Sequence, residues 1–373
     1  MAYTKVKPLM VASFPSSRLT GAFGAISGAS LTGLGDGIDT KSASNDPAIN
    51  TNPSAVGHTW LNKTSGELFI CTTATAGANV WVSVGRGISD VWQFQGTVAG
   101  YVIGGFPAHN VIDKFLFSSN TTAADHGDLL EGRYNPAGSQ SATHGYSAGG
   151  RSGSTNKSEI DKFAFASVAT AVDHGDLTLA RYGAASSSSS THGYTAGGDG
   201  SSDNVIDRFA FASAGNATDV GDNTVSFRSM SGHTSSTHGY TSGGCCPESN
   251  QISKYSFSSN SNAYDHGNLS SVRASTSGQS STTHGYTTGG GAPDTKIDKW
   301  AFSSNTTATV IANLSNGKFG TTGQSSTTHG YVSGGGPAPF TATIDRFSFA
   351  SESTQAAHGN LSLGRQDAGS CHQ

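Results

Sequence analysis

After residue 89, apolar and polar positions alternate in short runs, and an aromatic pair two residues apart keeps returning: Phe115/Phe117, Phe163/Phe165, Phe209/Phe211, Tyr255/Phe257, Trp300/Phe302 and Phe347/Phe349. A period of two puts both rings of a pair on one face of a strand. Clusters of Gly, Ser, Asn and Asp punctuate the runs, which are too short and too rich in aromatic and β-branched residues for helices. The pattern predicts β-structure throughout this stretch.

The aromatic pairs belong to a longer repeat. Gly-Tyr-x-x-Gly-Gly occurs six times, with its tyrosine at Tyr101, Tyr146, Tyr194, Tyr240, Tyr286 and Tyr331, spaced by 45, 48, 46, 46 and 45 residues. A variable loop follows each copy, then Ile-x-x-aromatic beginning at Ile112, Ile160, Ile206, Ile252, Ile297 and Ile344. Next comes Asp-His-Gly or its remnant at Asp125, Asp173, Asp219 and Asp265. A basic residue closes the unit: Arg133, Arg181, Arg228, Arg273, Lys318 and Arg365. A unit of this length divides into four short strands with turns, and such a sheet can bury both faces only against its neighbours. The recurring basic residue is expected to pair with backbone or Asp between units rather than to act catalytically.

In its double glycine, later aromatic and arginine, in that order, the unit resembles the kelch repeat, and the resemblance covers about residues 89–373. It departs from that repeat in carrying Asp-His-Gly where a Trp is usual. The fold class implied is all-β: a six-bladed kelch-like β-propeller preceded by a small β-hairpin module and an extended N-terminal anchor. Ring closure stays open at this level. Either Asp367–His372 supplies an inner strand to the first blade, or Val91–Phe94 already does.

The first 88 residues read as two pieces. Residues 1–45 repeat Leu-Thr-Gly at Leu19 and Leu31 around Ile26-Ser27-Gly28, with neither an amphipathic helix nor a long strand, so the segment is expected to order against another chain. It is similar to a connector found in tailed-bacteriophage fibre and tail-associated proteins. Residues 46–88 predict a hairpin, with Trp60-Leu61-Asn62, a turn over Lys63–Gly66 and Leu68–Cys71, and a further strand around Val80–Val84. This module resembles the one that sits between anchor and head in phage fibres.

Composition narrows the function. Lys+Arg 21 against Asp+Glu 25 gives a net charge of −4, which offers no basic excess for a nucleic-acid backbone. No apolar run approaches a membrane span, and the N-terminus does not read as a secretory signal. Cys71, Cys245, Cys246 and Cys371 form no disulfide framework and no Cys-x-x-Cys zinc pair, so they read as free thiols. Five histidines lie in Thr-His-Gly-Tyr turns (His144, His192, His238, His284 and His329), with Ala99 in the sixth place. They form either a ring able to hold an anion or metal, or simple turn residues. The turn reading is preferred, because ligands must converge within about 2.1 Å of one ion. His126, His174, His266 and His358, in or near Asp-His-Gly, read as solvated positions on an edge strand. Asp36-Gly37-Ile38-Asp39 lacks the ligand spacing of a calcium loop, and Gly33, Gly35 and Gly37 do not make a nucleotide loop. No metal and no cofactor is expected.

Residues that break the repeat point to function more strongly than those that keep it. They cluster in the loops after Gly-Gly, where Phe106, His109, Arg151, Asp199, Glu248, Asp294 and Phe340 are the candidate binding residues, all on one face. With no non-repeat cluster of Asp, Glu and Tyr, no catalytic residue is assigned. The resemblances together imply a virion structural protein, tail-fibre-like and assembled in the host cytoplasm. Residues 1–45 would contact other tail or capsid proteins, and the head would recognise a host surface glycan or protein. A homo-oligomer, as a trimer, is implied by the same resemblance. The alternatives are a capsid decoration or knob protein, and a propeller glycosidase or depolymerase.

Overall fold

The computed structural model describes residues 40–53, 55–64, 67–85, 94–200, 204–291, 293–353 and 356–373. The Leu-Thr-Gly segment, the Asp36–Asp39 stretch and residues 91–93 of the alternative closing strand lie outside them. Among the described residues the protein is all-β, with no helix. The chain divides by its internal packing into two units, Met1–Val91 and Trp92–Gln373.

The first unit holds a four-stranded sheet. Thr59–Asn62, Leu68–Thr73 and Val80–Gly85 form the predicted antiparallel meander. The expected three strands become four, because Thr40–Ala43 adds alongside Thr59–Asn62 in parallel. Parallel neighbours need a connection longer than a hairpin, and the stretch that supplies it is pinned by side chains. The Trp60 indole donates to Asn45 O at 2.9 Å, the Trp81 indole to Thr51 O at 3.2 Å and Asn79 to Ile49 O at 2.9 Å. Trp60 and Trp81 meet edge to face at 6.1 Å.

The second unit contains six four-stranded antiparallel sheets. Sheet I comprises Gly369–His372, Ala99–Ile103, Val111–Leu116 and Ala124–Asp128. Sheet II comprises Ala137–Gln140, His144–Ala148, Glu159–Ala164 and Val172–Asp176. Sheet III runs Ala185–Ser188, His192–Ala196, Val205–Ala210 and Thr218–Asp222; sheet IV, Ser231–Thr234, His238–Ser242, Gln251–Ser256 and Tyr264–Asn268. Sheet V runs Ser277–Ser280, His284–Thr288, Asp294–Ala301 and Thr309–Lys318; sheet VI, Thr322–Ser325, His329–Ser333, Thr343–Ser348 and Ala356–Asn360. Of the two closing strands left open by the sequence, the C-terminal one pairs with Ala99–Ile103, in register Ser370 to Val102 and Cys371 to Tyr101.

The first strands of the six sheets pack side by side in the order II, III, IV, V, VI, I and back to II. Their small residues permit this. A Cβ on Gly232 would lie 2.0 Å from Ser186 O, and one on Gly278 2.2 Å from Gly232 O. A side chain there would force neighbouring sheets apart.

Aromatic rings join the sheets farther out. The repeat tyrosine of each sheet stacks on the second aromatic of the next: Tyr101 on Phe165, Tyr146 on Phe211, Tyr194 on Phe257, Tyr240 on Phe302, Tyr286 on Phe349 and Tyr331 on Phe117. All six centroid separations lie between 4.7 and 4.8 Å. Such stacked pairs add about 1 kcal/mol each beyond their buried area. The first aromatic of each pair is buried as well.

Buried ion pairs form the third layer of contacts. Arg133 meets Asp161 at 2.7 Å, Arg181 Asp207 at 3.0 Å, Arg273 Asp298 at 2.6 Å, Lys318 Asp345 at 2.7 Å and Arg365 Asp113 at 3.2 Å, every side chain 5% exposed or less. All five of these basic groups also donate to backbone or hydroxyl oxygens, as Arg133 does to Gly149 O and Glu159 O. A buried charge needs this degree of pairing.

Two sequence expectations are corrected here. Arg228 is not the third unit's copy of the recurring basic residue. Gly198 N donates to Phe227 O as Gly150 N does to Arg181 O and Gly244 N to Arg273 O, so Phe227 occupies that slot. The physical reason is the partner: the fourth unit carries Ser253 where the others carry Asp, and a cation there would be buried without a counter-ion. The Thr224 hydroxyl bonds Ser253 instead.

The second correction concerns the Asp-His-Gly histidines, which are not solvated. His126, His174, His266 and His358 are all 5% exposed or less. The pairing skips His174, since Ile160 opposes Gly175 and Asp161 opposes Asp173. That bulge turns the imidazole inward, where its Nε2 lies 2.8 Å from Ala210 O of the next sheet. His126, His266 and His358 do the same at 2.9 Å. The Asp of the motif shapes the bulge by accepting from the glycine N–H, at 2.8 Å in Asp125 and Gly127.

Candidate recognition surface

Each second strand ends in Gly-Gly, both residues at positive φ (62° and 102° at Gly149 and Gly150), and a loop follows. All six loops therefore leave one end of the sheets, the end at which the first strands begin. At that end six residues hold positive φ between 51° and 68°: Asn135, Gly183, Ser229, Ser275, Gly320 and Asp367. They close a cycle of backbone hydrogen bonds of 2.5–3.0 Å, each N–H donating to the carbonyl of another ring member, from Asn135 to Asp367 and onward back to Asn135. Below the cycle lies a cavity of about 120 Å³, lined by the glycines and hydroxyls of the first strands. Phe94–Gly96 crosses its far end. There Gln95 donates to Ser280 O and Ser326 O, Gln140 to Phe94 O at 3.2 Å, and His372 contacts the same carbonyl. At the loop end, burial pushes the Asp367 carboxyl up to about 6.

Around this mouth one position per unit, next to the cycle, varies among the repeats: Tyr134, Tyr182, Arg228, Ala274, Phe319 and Gln366. Five of the six form a single bridge with a loop residue, namely Arg151, Asp199, Cys245, Gly336 and Phe106 for Tyr134, Tyr182, Arg228, Phe319 and Gln366 in turn. The surrounding side chains assemble into two groups.

The first is a row of rings. Phe340 meets Phe106 at 5.8 Å, Phe106 meets Tyr134 at 5.5 Å and Tyr134 meets Tyr182 at 6.5 Å, each edge to face. The second surrounds Tyr182. Its hydroxyl donates to Asp199 at 2.7 Å, the Arg151 guanidinium carbon lies 5.0 Å and that of Arg228 5.8 Å from the ring centre, and Arg228 forms an ion pair with Asp199. Arg228 also points at Cys246 Sγ, 3.7 Å away. Partial burial opposes the charge on Asp199, but the Tyr182 hydroxyl and Arg228 outweigh it and hold the carboxyl below its usual range. Burial, reinforced by Asp199, raises the Tyr182 hydroxyl.

Of the sequence candidates, Phe106 and Phe340 share the aromatic row, while Arg151 and Asp199 share the Tyr182 cluster. His109 is half-buried in the Phe106 loop and lowered by burial and by the nearby Arg365 charge. Glu248 is exposed in the Cys245-Cys246 loop. Asp294 pairs with Lys296 at 3.2 Å and approaches Arg273 at 3.9 Å, apart from the other candidates. Tyr134, Tyr182 and the rim position of Arg228 were missed. Lining up the six units on the residue just before the cycle would have exposed them, since that position ranges from Tyr and Phe to Arg, Ala and Gln.

The Thr-His-Gly-Tyr histidines lie at the opposite end of the sheets. Each Nδ1 is within 2.7–2.8 Å of the preceding threonine hydroxyl, and each His N–H donates to a serine two positions before that threonine, as His144 does to Ser141. Burial lowers all five. These bonds are those of a turn. Among the described residues no group of three or more His, Cys, Asp or Glu side chains could hold a metal ion. No protein-family model and no curated protein matches the chain.

Proposed function

We propose that residues 94–373 form a six-bladed, kelch-like β-propeller closed by the C-terminal strand, and that the protein is a structural component of a bacteriophage virion, a tail-fibre-like appendage whose loop face recognises the host cell surface. The cyclic packing of the six first strands and the Gly369–His372 pairing support the propeller. One observation carries recognition. Buried contacts repeat from sheet to sheet, whereas the exposed positions that break the repeat gather at the loop end, on a rigid frame suited to binding.

Binding without catalysis is the preferred role, because the aspartates that follow the repeat isoleucine are committed to buried ion pairs and those of Asp-His-Gly to the bulge glycine. Residues 1–45 would attach the protein to tail or capsid partners, in an oligomer. Purified full chain should bind susceptible bacteria saturably and block adsorption of particles that carry the protein, without releasing reducing ends from the envelope. Undiminished adsorption at saturating protein would refute recognition, and sustained release of reducing ends would refute the non-enzymatic role.

A further inference from the structure

We infer that the row Phe340–Phe106–Tyr134–Tyr182, with Arg151 at its end, is a binding site for an acidic saccharide: sugar faces pack on the rings and a carboxylate pairs with the Arg151 guanidinium. This rests on the recognition role proposed above and names its ligand class.

The loop end is six-fold in its frame but lopsided in its loops. Ten residues separate Ala148 from Glu159 in sheet II and nine separate Ser333 from Thr343 in sheet VI, but only five separate Thr288 from Asp294 in sheet V. The rings follow the same asymmetry. Phe340, Phe106, Tyr134 and Tyr182 run from the sheet VI loop past sheets I and II, while at the junction of sheets IV and V the rim position is Ala274, which is buried and accepts from Gly291 N of the loop. The sheet II loop is further distinguished by its own two-stranded hairpin, Arg151–Ser152 with Thr155–Asn156. Two hydrogen bonds fold this hairpin over the row: Tyr134 donates to Gly153 O at 3.3 Å, and Asn156 to Asp199 O at 3.1 Å.

The chemistry of the row favours a sugar chain. Its centroid spacings of 5.5–6.5 Å are close to the length of one sugar unit. Each ring is braced edge to face by its neighbour, so the row keeps its shape without a ligand and little side-chain entropy is lost on binding. Phe106 is 38% exposed at its crest.

Charge selects the acid. Asp199 is taken by Arg228 and Tyr182, and Glu131 and Glu159 both pair with Lys157. Arg151 is left with no carboxylate within ion-pair distance among the described residues. Its Nη2 reaches only Ser154 O at 3.5 Å. A planar guanidinium held beside an aromatic ring with unused donors suits bidentate capture of a carboxylate.

The test uses the full chain against immobilised oligosaccharides containing uronic or nonulosonic acids, each beside its methyl ester and a neutral counterpart. At least one acid should bind ten-fold or more tightly than its ester. Arg151→Gln should abolish that preference, so that acid and ester bind alike, and Arg151→Lys should restore part of it. Tyr134→Ala should weaken acid and ester together, and Val310→Ser, on the outer edge of sheet V, should change neither. Unchanged thermal unfolding of the Arg151 variants would show that they fold. Equal binding of acid and ester by the unaltered chain, or an acid preference surviving in Arg151→Gln, would overturn the inference. If the protein blocks particle adsorption yet binds no member of the panel, recognition stands and the acidic-saccharide site falls. If it does neither, both fall.

Discussion

The junction between sheets III and IV offers the sharpest perturbation. Five other junctions carry a buried cation and an aspartate; this one carries Phe227 and Ser253. Ser253 is 1% exposed and bonded only to a neutral hydroxyl, so Ser253→Asp alone places a carboxylate where no cation answers it. The cost should be about 3 kcal/mol or more, as for a buried pair that has lost one member. Phe227→Arg alone gives up the packing of a half-buried ring, about 1–2 kcal/mol, and adds an unanswered charge. The double variant recreates the arrangement seen at Arg181–Asp207, whose atoms meet at 3.0 Å. It should lie within about 1 kcal/mol of the natural protein, a coupling of about 3 kcal/mol in a double-mutant cycle. Urea unfolding of all four proteins, followed by circular dichroism, measures it. A double variant no more stable than the two single costs summed would refute the slot assignment, and with it the rim position of Arg228.

Two further outcomes follow from buried groups. His233 is buried and His372 half-buried, and burial pushes both down to about 4 against an ordinary 6.5. The unfolded chain therefore takes up protons first as pH falls: their stabilisation is complete above pH 6.5 and is lost progressively toward pH 4, about 3 kcal/mol for each. Melting temperature should drop across that window, and His233→Gln, which copies Gln279 and Gln324 at the same place in sheets V and VI, should flatten the drop; an unchanged slope would contradict the assignment. Cys246 is exposed and Cys71 and Cys371 are buried. Iodoacetamide should therefore modify Cys246 in the native protein and reach the other two only in denaturant, read by peptide mass; early modification of Cys371 would contradict a paired C-terminal strand.

Much of the frame was legible because it is written six times. The aromatic spacing and the Gly-Tyr-x-x-Gly-Gly end report contacts that every sheet makes, and the recurring basic residue one that five of the six junctions make. What stayed hidden depends on register and on distant partners. His174 sits one residue past an ordinary ladder position, and a single skipped residue moves a side chain from solvent into the core. Phe227 and Arg228 are neighbours in sequence, so a motif that asks only for a basic residue selects the wrong one; the choice is made by Ser253, one sheet away. The closing strand Gly369–His372 has no apolar alternation of its own and is defined by Ala99–Ile103 at the far end of the unit. The rim position carried no repeat signal because it varies among the units, from Tyr134 and Tyr182 to Ala274 and Gln366.

Closure of the ring by the C-terminal strand is tested most directly by a disulfide across it. Val102 and Ser370 are direct partners in the register, and the side chains of both face sheet VI. Opposed antiparallel residues bring their Cβ atoms to about 5 Å. The Val102→Cys, Ser370→Cys variant should oxidise to a monomer about 2 Da lighter, as loss of two thiol hydrogens requires. The two introduced cysteines should then be recovered as one linked peptide pair, with the fold retained. Recovery of both as free, alkylated peptides from folded protein would show the ring to be open and would contradict the account.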